Sequence, residues 1–219
     1  MKPGFDLIVF DLDGTLVDSL PDLAAAANYA LSRLGLPERP LEEHRLMIGA
    51  GEANYVRRFL GPKHQDLFAE ALRLYLEYYS RHLGELCRVY PGVPETLAAL
   101  LPRKMAVLSN KREDLTRKVV QVMGLKGFFV RVRGGDSYGT LKPDPAGLQT
   151  LIRELQAQPP LTLMVGDKPE DVLTGRGAGT RTAALTSGYS EPEALVSAAP
   201  DYLLEDFSHL TALPGLSVS

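Results

Sequence analysis

The chain has 219 residues, enough for one large domain or for a core with a smaller inserted domain. Its net charge of −3 at pH 7, without a long basic run, argues against nucleic acid as a partner. No apolar run approaches the roughly 18 residues of a membrane-spanning helix, and the single cysteine fits a reducing compartment. We therefore expect a cytoplasmic protein, monomeric or homodimeric, with no membrane partner.

The first predicted element lies in residues 5–19, FDLIVFDLDGTLVDS, where an apolar run stops at two carboxylates. Residues 5–10 show little alternation, as in a strand that is covered on both faces of a parallel sheet. Asp11 and Asp13 follow where the strand must surface, and a buried carboxylate needs a cation, hydrogen-bond donors or water. Gly14 permits a tight turn after them. Taken alone, the stretch also fits a solvated strand-end loop.

Four helices are predicted next, with almost no strand signal between them. The spacing of apolar residues, with breaks at Gly and Pro, places them at residues 20–34, 41–48, 52–60 and 65–84. Ser19 is a suitable N-cap for the first helix. The aromatic residues at helical spacing in the fourth helix are typical of packing. The pattern predicts a helical unit inserted after the first strand.

From residue 94 onward, strands alternate with helices. The predicted helices cover residues 94–101, 113–123, 145–155 and 169–178. The predicted strands cover residues 105–108, 128–132, 161–165, 182–185 and 202–204. This alternation predicts an α/β protein with a parallel sheet and helices on both faces.

Polar residues follow three of these strands. They are Ser109, Asn110 and Lys111 after the second strand of the chain, Lys142 after the third, and Asp167 and Asp171 after the fourth. Each residue alone is explained by a helix cap, a turn or an exposed lysine. Because the carboxyl ends of parallel strands meet at one edge of a sheet, we expect these side chains to converge on Asp11 and Asp13.

Four motifs, DLDGTLVDS, LSNK, LKPDP and VGDKPED, resemble those of the haloacid dehalogenase-like phosphohydrolases in order and approximate spacing. The resemblance covers the chain from residue 5 to about residue 207. Within the superfamily the chain is most similar to the phosphoglycolate phosphatases, through stretches such as RLMIGAGEA and GYSEPEAL. The resemblance implies a Rossmann-like core, here residues 1–16 and 87–219, with a helical cap inserted at residues 17–86.

The resemblance also implies a phosphatase that forms an aspartyl-phosphate intermediate on a small phosphorylated metabolite. Asp11 would be the nucleophile and Asp13 the general acid and base. The Ser109 hydroxyl, the Lys142 ammonium and the backbone N–H groups near Leu12 and Asn110 would bind the phosphoryl oxygens.

A bound Mg²⁺ is part of the same expectation. Its protein ligands would be the Asp11 carboxylate, the Asp13 backbone carbonyl and Asp167, with Asp171 holding a metal-bound water or the lysine. Mg²⁺ prefers oxygen ligands of this kind in an octahedral arrangement.

The cap would choose the leaving group, since the core binds little beyond phosphate and metal. Residues 49–51, Gly-Ala-Gly, form a flexible break that could lie over the site. Arg45 is either a ligand for a substrate carboxylate, such as that of phosphoglycolate, or an exposed arginine. Lys168 stands where many relatives have a small polar residue, and we expect it to face solvent, with contact to the anion as the alternative.

Several other functions are open to such a sequence. A haloacid dehalogenase has no use for an acid at Asp13, and a sugar-phosphate mutase usually carries a basic residue after the glycine loop, where this chain has AGEANY. A pyrophosphatase or a broad-specificity sugar-phosphate phosphatase is the main competitor. A non-catalytic phosphate-binding module would be expected to lack a catalytic acid or the lysine, and all of them are present.

Overall fold

The computed structural model describes residues 4–216 and has a parallel sheet at its centre. The strands are, in chain order, β1 (Leu7–Phe10), β2 (Val17–Asp18), β3 (Arg88–Val89), β4 (Lys104–Leu108), β5 (Arg131–Arg133), β6 (Thr162–Gly166), β7 (Arg181–Leu185) and β8 (Tyr202–Leu204). Six of them form one sheet in the order β5–β4–β1–β6–β7–β8, and β2 and β3 form a separate antiparallel pair. The chain moves outward from β1 first on one side and then on the other. The strand order therefore reverses at β1, which is where ligands bind in sheets of this type.

Nine α-helices surround the sheet in the described part of the chain. Four of them lie between β2 and β3: α1 (Leu20–Arg33), α2 (Leu41–Met47), α3 (Gly51–Leu60) and α4 (Phe68–His82). The other five follow β3: α5 (Val93–Leu100), α6 (Glu113–Val122), α7 (Ala146–Glu154), α8 (Pro169–Gly177) and α9 (Pro192–Ala198). The predicted α/β fold, a Rossmann-like parallel sheet with an inserted group of helices, is confirmed. Among residues 4–216, no helix combines the length and apolarity needed to cross a bilayer.

Two predicted elements differ in position from the observed ones, and three observed elements were not predicted. The fourth helix does not begin at residue 65, because Pro62–Leu67 forms a 3₁₀ segment with a non-helical residue inside it, and α4 begins at Phe68. The strand predicted at residues 128–132 is also wrong, since Lys126–Phe128 turns as a 3₁₀ helix and β5 starts at Arg131. The short strands β2 and β3 and the helix α9 were not predicted.

Strand β1 is buried on both faces of the sheet, as its lack of alternation predicted. All four of its residues are fully buried. Leu7 and Val9 pack in the apolar cluster that contains α7, whereas Ile8 and Phe10 pack in the cluster on the other face. Alternate side chains of a strand point to opposite faces, so β1 joins the two layers of the core.

Aromatic residues of the helical insert are buried and pack on one another, as the spacing in α4 predicted. Tyr75 stacks on Tyr79 with ring centroids 5.7 Å apart, and Tyr55 meets Tyr75 edge-on at 5.6 Å. The two ends of the insert are tied together by Asp22 of α1, whose carboxylate accepts hydrogen bonds from the amides of Gly84 (2.7 Å) and Leu86 (2.8 Å). The apolar cluster that contains these rings continues to Ile8 and Phe10 of β1, so the insert packs against the sheet.

Candidate active site

The register of the sheet aligns the carboxyl ends of β1, β4 and β6 at one edge. Phe10 of β1 pairs with Val107 of β4 on one side and with Val165 of β6 on the other. The next residues therefore leave the sheet side by side, and they include Asp11, Ser109 and Asp167. This places a carboxylate, a hydroxyl and a second carboxylate at one edge, as predicted.

Three carboxylates form a buried cluster at this edge. Asp11, Asp167 and Asp171 each offer an oxygen atom, and these oxygens lie within 4.8 Å of one another. Burial raises the pKa of Asp11 to about 6, although the Lys142 ammonium opposes the shift. Burial also raises the pKa of Asp167 to about 6, and Lys168 opposes that shift. The site thus concentrates negative charge where water cannot screen it, which favours a bound cation.

Lys142 is the cation that the sequence predicted beside these acids. Its ammonium lies 2.8 Å from Asp11 Oδ1 and 2.6 Å from Asp171 Oδ1. Burial lowers the pKa of Lys142, but the two carboxylates outweigh burial and the net pKa is raised. Lys142 therefore stays charged beside Asp11.

Asp167 is held by a tight cradle of backbone and hydroxyl groups. The Thr15 hydroxyl donates to Asp167 Oδ1 (2.8 Å) and the Tyr189 amide donates to Oδ2 (2.9 Å). A Cβ atom at Gly14 would lie 2.3 Å from Asp167 Oδ2, and one at Gly188 would lie 2.2 Å from Asp167 Cβ. Only glycine fits at these two positions without displacing the carboxylate.

Asp13 lies apart from the three-carboxylate cluster and has its own partners. The Lys111 ammonium donates to Asp13 Oδ1 at 2.6 Å and to the Tyr79 hydroxyl of α4 at 2.8 Å. The Ser19 hydroxyl donates to the same Asp13 oxygen at 2.5 Å. Ser19 does occupy the N-cap position of α1, but the predicted capping bond is absent because its hydroxyl is used by Asp13. No role was predicted for Lys111, although its position three residues after the end of β4 placed it at this edge of the sheet.

Ser109 and Asn110 follow β4 and link the site to its surroundings. Ser109 is buried with its side chain lining the cavity beside Asp11. The Asn110 side chain donates to the Lys142 carbonyl (3.0 Å) and to the Gly49 carbonyl (2.9 Å), and it accepts from the Lys142 amide (2.7 Å). Leu12 is buried, and its carbonyl accepts hydrogen bonds from the amides of residues 15–17, which turns the chain directly after Asp13.

A cavity of about 40 Å³ separates these residues from the helical insert. Asp11, Asp13, Ser109, Asn110, Lys111 and Lys168 line it from the sheet side. The insert supplies Leu23, Ile48, Gly49, Gly51, Glu52, Tyr55 and Tyr75. The glycine break at residues 49–51 thus lies over the site, as expected.

Two basic residues, Lys168 and Arg45, lie in surroundings that differ from those predicted. Lys168 does not face solvent, and that prediction is wrong: the side chain is 9% exposed and lines the cavity, because the glycine loop of the insert covers it. Arg45 is neither in the cavity lining nor fully exposed. Its guanidinium donates to the carbonyls of Gly188 (2.8 Å) and Tyr189 (3.1 Å), which fastens α2 to the loop that cradles Asp167.

The chain matches the family model of the haloacid dehalogenase-like hydrolases over residues 8–185. A phosphoglycolate phosphatase of Vibrio vulnificus is 37% identical over 213 residues, which cover 93% of each chain. The phosphoglycolate phosphatase of Aquifex aeolicus is 36% identical over 209 residues, 94% of this chain and 95% of that one. Among solved structures, a predicted phosphoglycolate phosphatase from Haemophilus somnus is 32% identical, covers 97% of this chain and 99% of its own, and superposes with a TM-score of 0.91.

Proposed function

The chain belongs to the haloacid dehalogenase-like hydrolases and is a phosphatase of that family, and from this premise we propose that its substrate is 2-phosphoglycolate. The observation that carries the chemistry is the convergence of Asp11, Asp13, Ser109 and Lys142 on one buried strand edge. The relatives of similar length support the choice of substrate. The cavity supports it too, because the helical insert covers the strand edge and leaves a small, partly open space of about 40 Å³, which favours a short leaving group.

Asp11 is assigned as the nucleophile. One of its carboxylate oxygens attacks phosphorus, the bond from phosphorus to the ester oxygen breaks, and an aspartyl-phosphate forms. The Ser109 hydroxyl and the Lys142 ammonium, with backbone amides near Leu12 and Asn110, bind the other phosphoryl oxygens and offset their charge. Lys142 already lies 2.8 Å from Asp11, which supports this placement.

Asp13 is assigned as the general acid and base. As a carboxylic acid it donates its proton to the departing ester oxygen, and as a carboxylate it then takes a proton from the water that attacks the aspartyl-phosphate. The products are the alcohol and inorganic phosphate, with Asp11 restored. Lys111 and Ser19 hold the Asp13 side chain at the edge of the cavity, which supports its role in both steps.

The residues present fit a bound Mg²⁺. The donor set consists of hard oxygen atoms, and the carboxylates with raised pKa values are where a cation would be stabilised most. We propose that Asp11, Asp167 and the Asp13 backbone carbonyl would hold the ion, with Asp171 fixing Lys142 or a metal-bound water. When bound, the ion would offset the charge of the phosphoryl group as Asp11 approaches it.

We further propose that residues 17–86 act as a cap on a core formed by residues 1–16 and 87–219. The paired strands β2 and β3 stand where the chain enters and leaves this cap, which supports the division. Residues 1–3 and 217–219 of the proposed core lie outside the described residues.

Two experiments test the function. Asp11→Asn should abolish hydrolysis of 4-nitrophenyl phosphate in the presence of Mg²⁺ while the far-ultraviolet circular dichroism spectrum stays unchanged; retained turnover contradicts the nucleophile assignment. A panel of 2-phosphoglycolate, pyrophosphate and glucose phosphates, compared by kcat/KM, should give the highest value for 2-phosphoglycolate. A higher value for pyrophosphate or a sugar phosphate would replace the proposed substrate but leave the chemistry intact.

A further inference from the structure

Three lysines are buried in the described part of the chain, and one of them has no carboxylate partner. Lys111 lies 2.6 Å from Asp13, and Lys142 lies 2.8 Å from Asp11 and 2.6 Å from Asp171. Lys168 is also buried, yet none of the ion pairs or hydrogen bonds among residues 4–216 uses its ammonium. The neighbour of that ammonium is the ring of Tyr189, with the nitrogen 5.5 Å from the ring centroid.

An unpaired buried ammonium is unfavourable, so a fold keeps it only where something compensates its charge. The aromatic face of Tyr189 gives weak stabilisation, and the nearby acids give more. Lys142 and Lys111 already form ion pairs with Asp11 and Asp13. The charge of Lys168 lowers the pKa of Asp167, but its ammonium forms no ion pair with that carboxylate among the described residues and can still contact an anion in the cavity.

Lys168 lies at the end of the cavity next to the helical insert. It precedes α8, directly after Asp167, and its side chain runs under the glycine loop of the insert. A Cβ atom at Gly49 would lie 2.7 Å from both Cδ and Cε of Lys168, so the loop rests on the alkyl part of the side chain. The phosphoryl group would bind beside Asp11, Ser109 and Lys142. The rest of the cavity, which is left for the leaving group, is lined by the insert and by Lys168.

We propose that Lys168 determines specificity by binding the carboxylate of the leaving group. The substrate class is a short phosphate monoester whose alcohol carries a carboxylate next to the carbon that bears the ester oxygen, and the inference rests on the proposed function. Lys168 makes no bond to the reacting atoms. It orients the substrate and discriminates against esters of the same length that lack the second negative charge.

The test compares two substrates of equal carbon number, 2-phosphoglycolate and ethyl phosphate, on the full-length enzyme with Mg²⁺. Lys168→Met should lower kcat/KM for 2-phosphoglycolate by roughly 10- to 100-fold, the effect expected for a charge-assisted hydrogen bond, and change kcat/KM for ethyl phosphate by less than about threefold. Lys168→Arg, which keeps the charge, should retain most of the preference. Lys63→Met, at an exposed position of the insert, is the matched control and should change neither value.

Equal losses on both substrates would overturn the inference, because Lys168 would then act on the phosphoryl group or on Asp167. An unchanged preference in Lys168→Met would overturn it as well. If Lys168→Met does not give a cooperative thermal unfolding transition, Lys168→Gln provides the same comparison. A wild-type enzyme that does not prefer 2-phosphoglycolate to ethyl phosphate would instead refute the proposed substrate, and the two failures are therefore distinguishable.

Discussion

Gly188 gives a direct test of how Asp167 is held. The residue is buried in the loop before α9, and an added Cβ would lie 2.2 Å from Asp167 Cβ and 2.6 Å from the Gly14 carbonyl oxygen. Normal contacts between such atoms are about 3.5 Å, so Asp167 or the loop must move by about 1 Å in Gly188→Ala. That movement also strains the hydrogen bond from the Tyr189 amide to Asp167.

The proposed magnesium site does not tolerate such a displacement. Mg²⁺ requires near-ideal octahedral geometry, and loss of the groups that orient a ligand typically costs 10- to 100-fold in metal affinity. Gly188→Ala should therefore raise the Mg²⁺ concentration for half-maximal hydrolysis of 4-nitrophenyl phosphate by about that factor. Overpacking should also lower the free energy of unfolding by about 1–3 kcal/mol.

Gly127→Ala is a matched control for the expected changes in Mg²⁺ requirement and in stability. Gly127 has open space around its Cβ position, so Gly127→Ala should leave both the Mg²⁺ requirement and the stability close to wild type. Mg²⁺ titration followed by the shift in thermal unfolding temperature gives a binding measurement that does not depend on turnover. If Gly188→Ala and Gly127→Ala show the same Mg²⁺ dependence as wild type, the steric argument or the assignment of Asp167 as a ligand is refuted.

Two further predictions concern the helical insert. Burial lowers the pKa of His44 below its ordinary value of 6.5, so the unfolded chain binds more protons at this residue as pH falls below 6.5, and His44 alone should lower stability there by up to about 1.4 kcal/mol per pH unit. Asp11 and Asp167, whose pKa values are raised to about 6, change stability in the opposite direction over the same range, so the His44 contribution is the difference in slope between wild type and His44→Gln. Urea unfolding of metal-free protein between pH 5.5 and 7.5 should show a smaller loss in His44→Gln; an identical slope contradicts the assignment. Tyr79→Phe removes an acceptor of Lys111 and should lower kcat about 3- to 10-fold with little change in KM, whereas Tyr29→Phe should not. A kcat equal to wild type for Tyr79→Phe would mean that this contact does not position Asp13.

The strand ends were predictable because parallel β-strands impose a common edge. Asp11, Ser109 and Asp167 each follow a short apolar run, and Lys142 lies in the loop after β5, so the order of the strands is enough to bring them to one edge. The partners of Asp13 were harder to predict. The Lys111 ammonium reaches a tyrosine of α4, and no local pattern reports how a helix from an insert lies over the sheet.

The burial of Lys168 was also not predictable from the local sequence. At the start of a helix, after an acid, a lysine is ordinarily exposed, and local sequence favours that prediction. Its burial depends on Gly49, which belongs to a different part of the chain and covers the side chain only after the insert has docked. Arg45 likewise has its partners in the loop of residues 188 and 189. Contacts between the insert and the sheet therefore account for most of what the sequence could not predict.

The acid cluster and the buried lysines can be compared by counting the charges in the site. Four buried carboxylates of the site, with the cavity-lining Glu52 as a fifth, face three buried ammonium groups, so the protein alone carries a negative excess there. A phosphate monoester adds about two negative charges, and a carboxylate on its leaving group adds a third. Three lysines cannot offset that sum among buried groups, where each uncompensated charge costs several kcal/mol. In the proposed complex, a divalent cation beside Asp11 and Asp167 would offset the excess at the phosphoryl end, and Lys168 would bind the carboxylate at the other end. On this proposal, Lys168 and the acid cluster are complementary parts of one electrostatic arrangement for a substrate with two anionic groups.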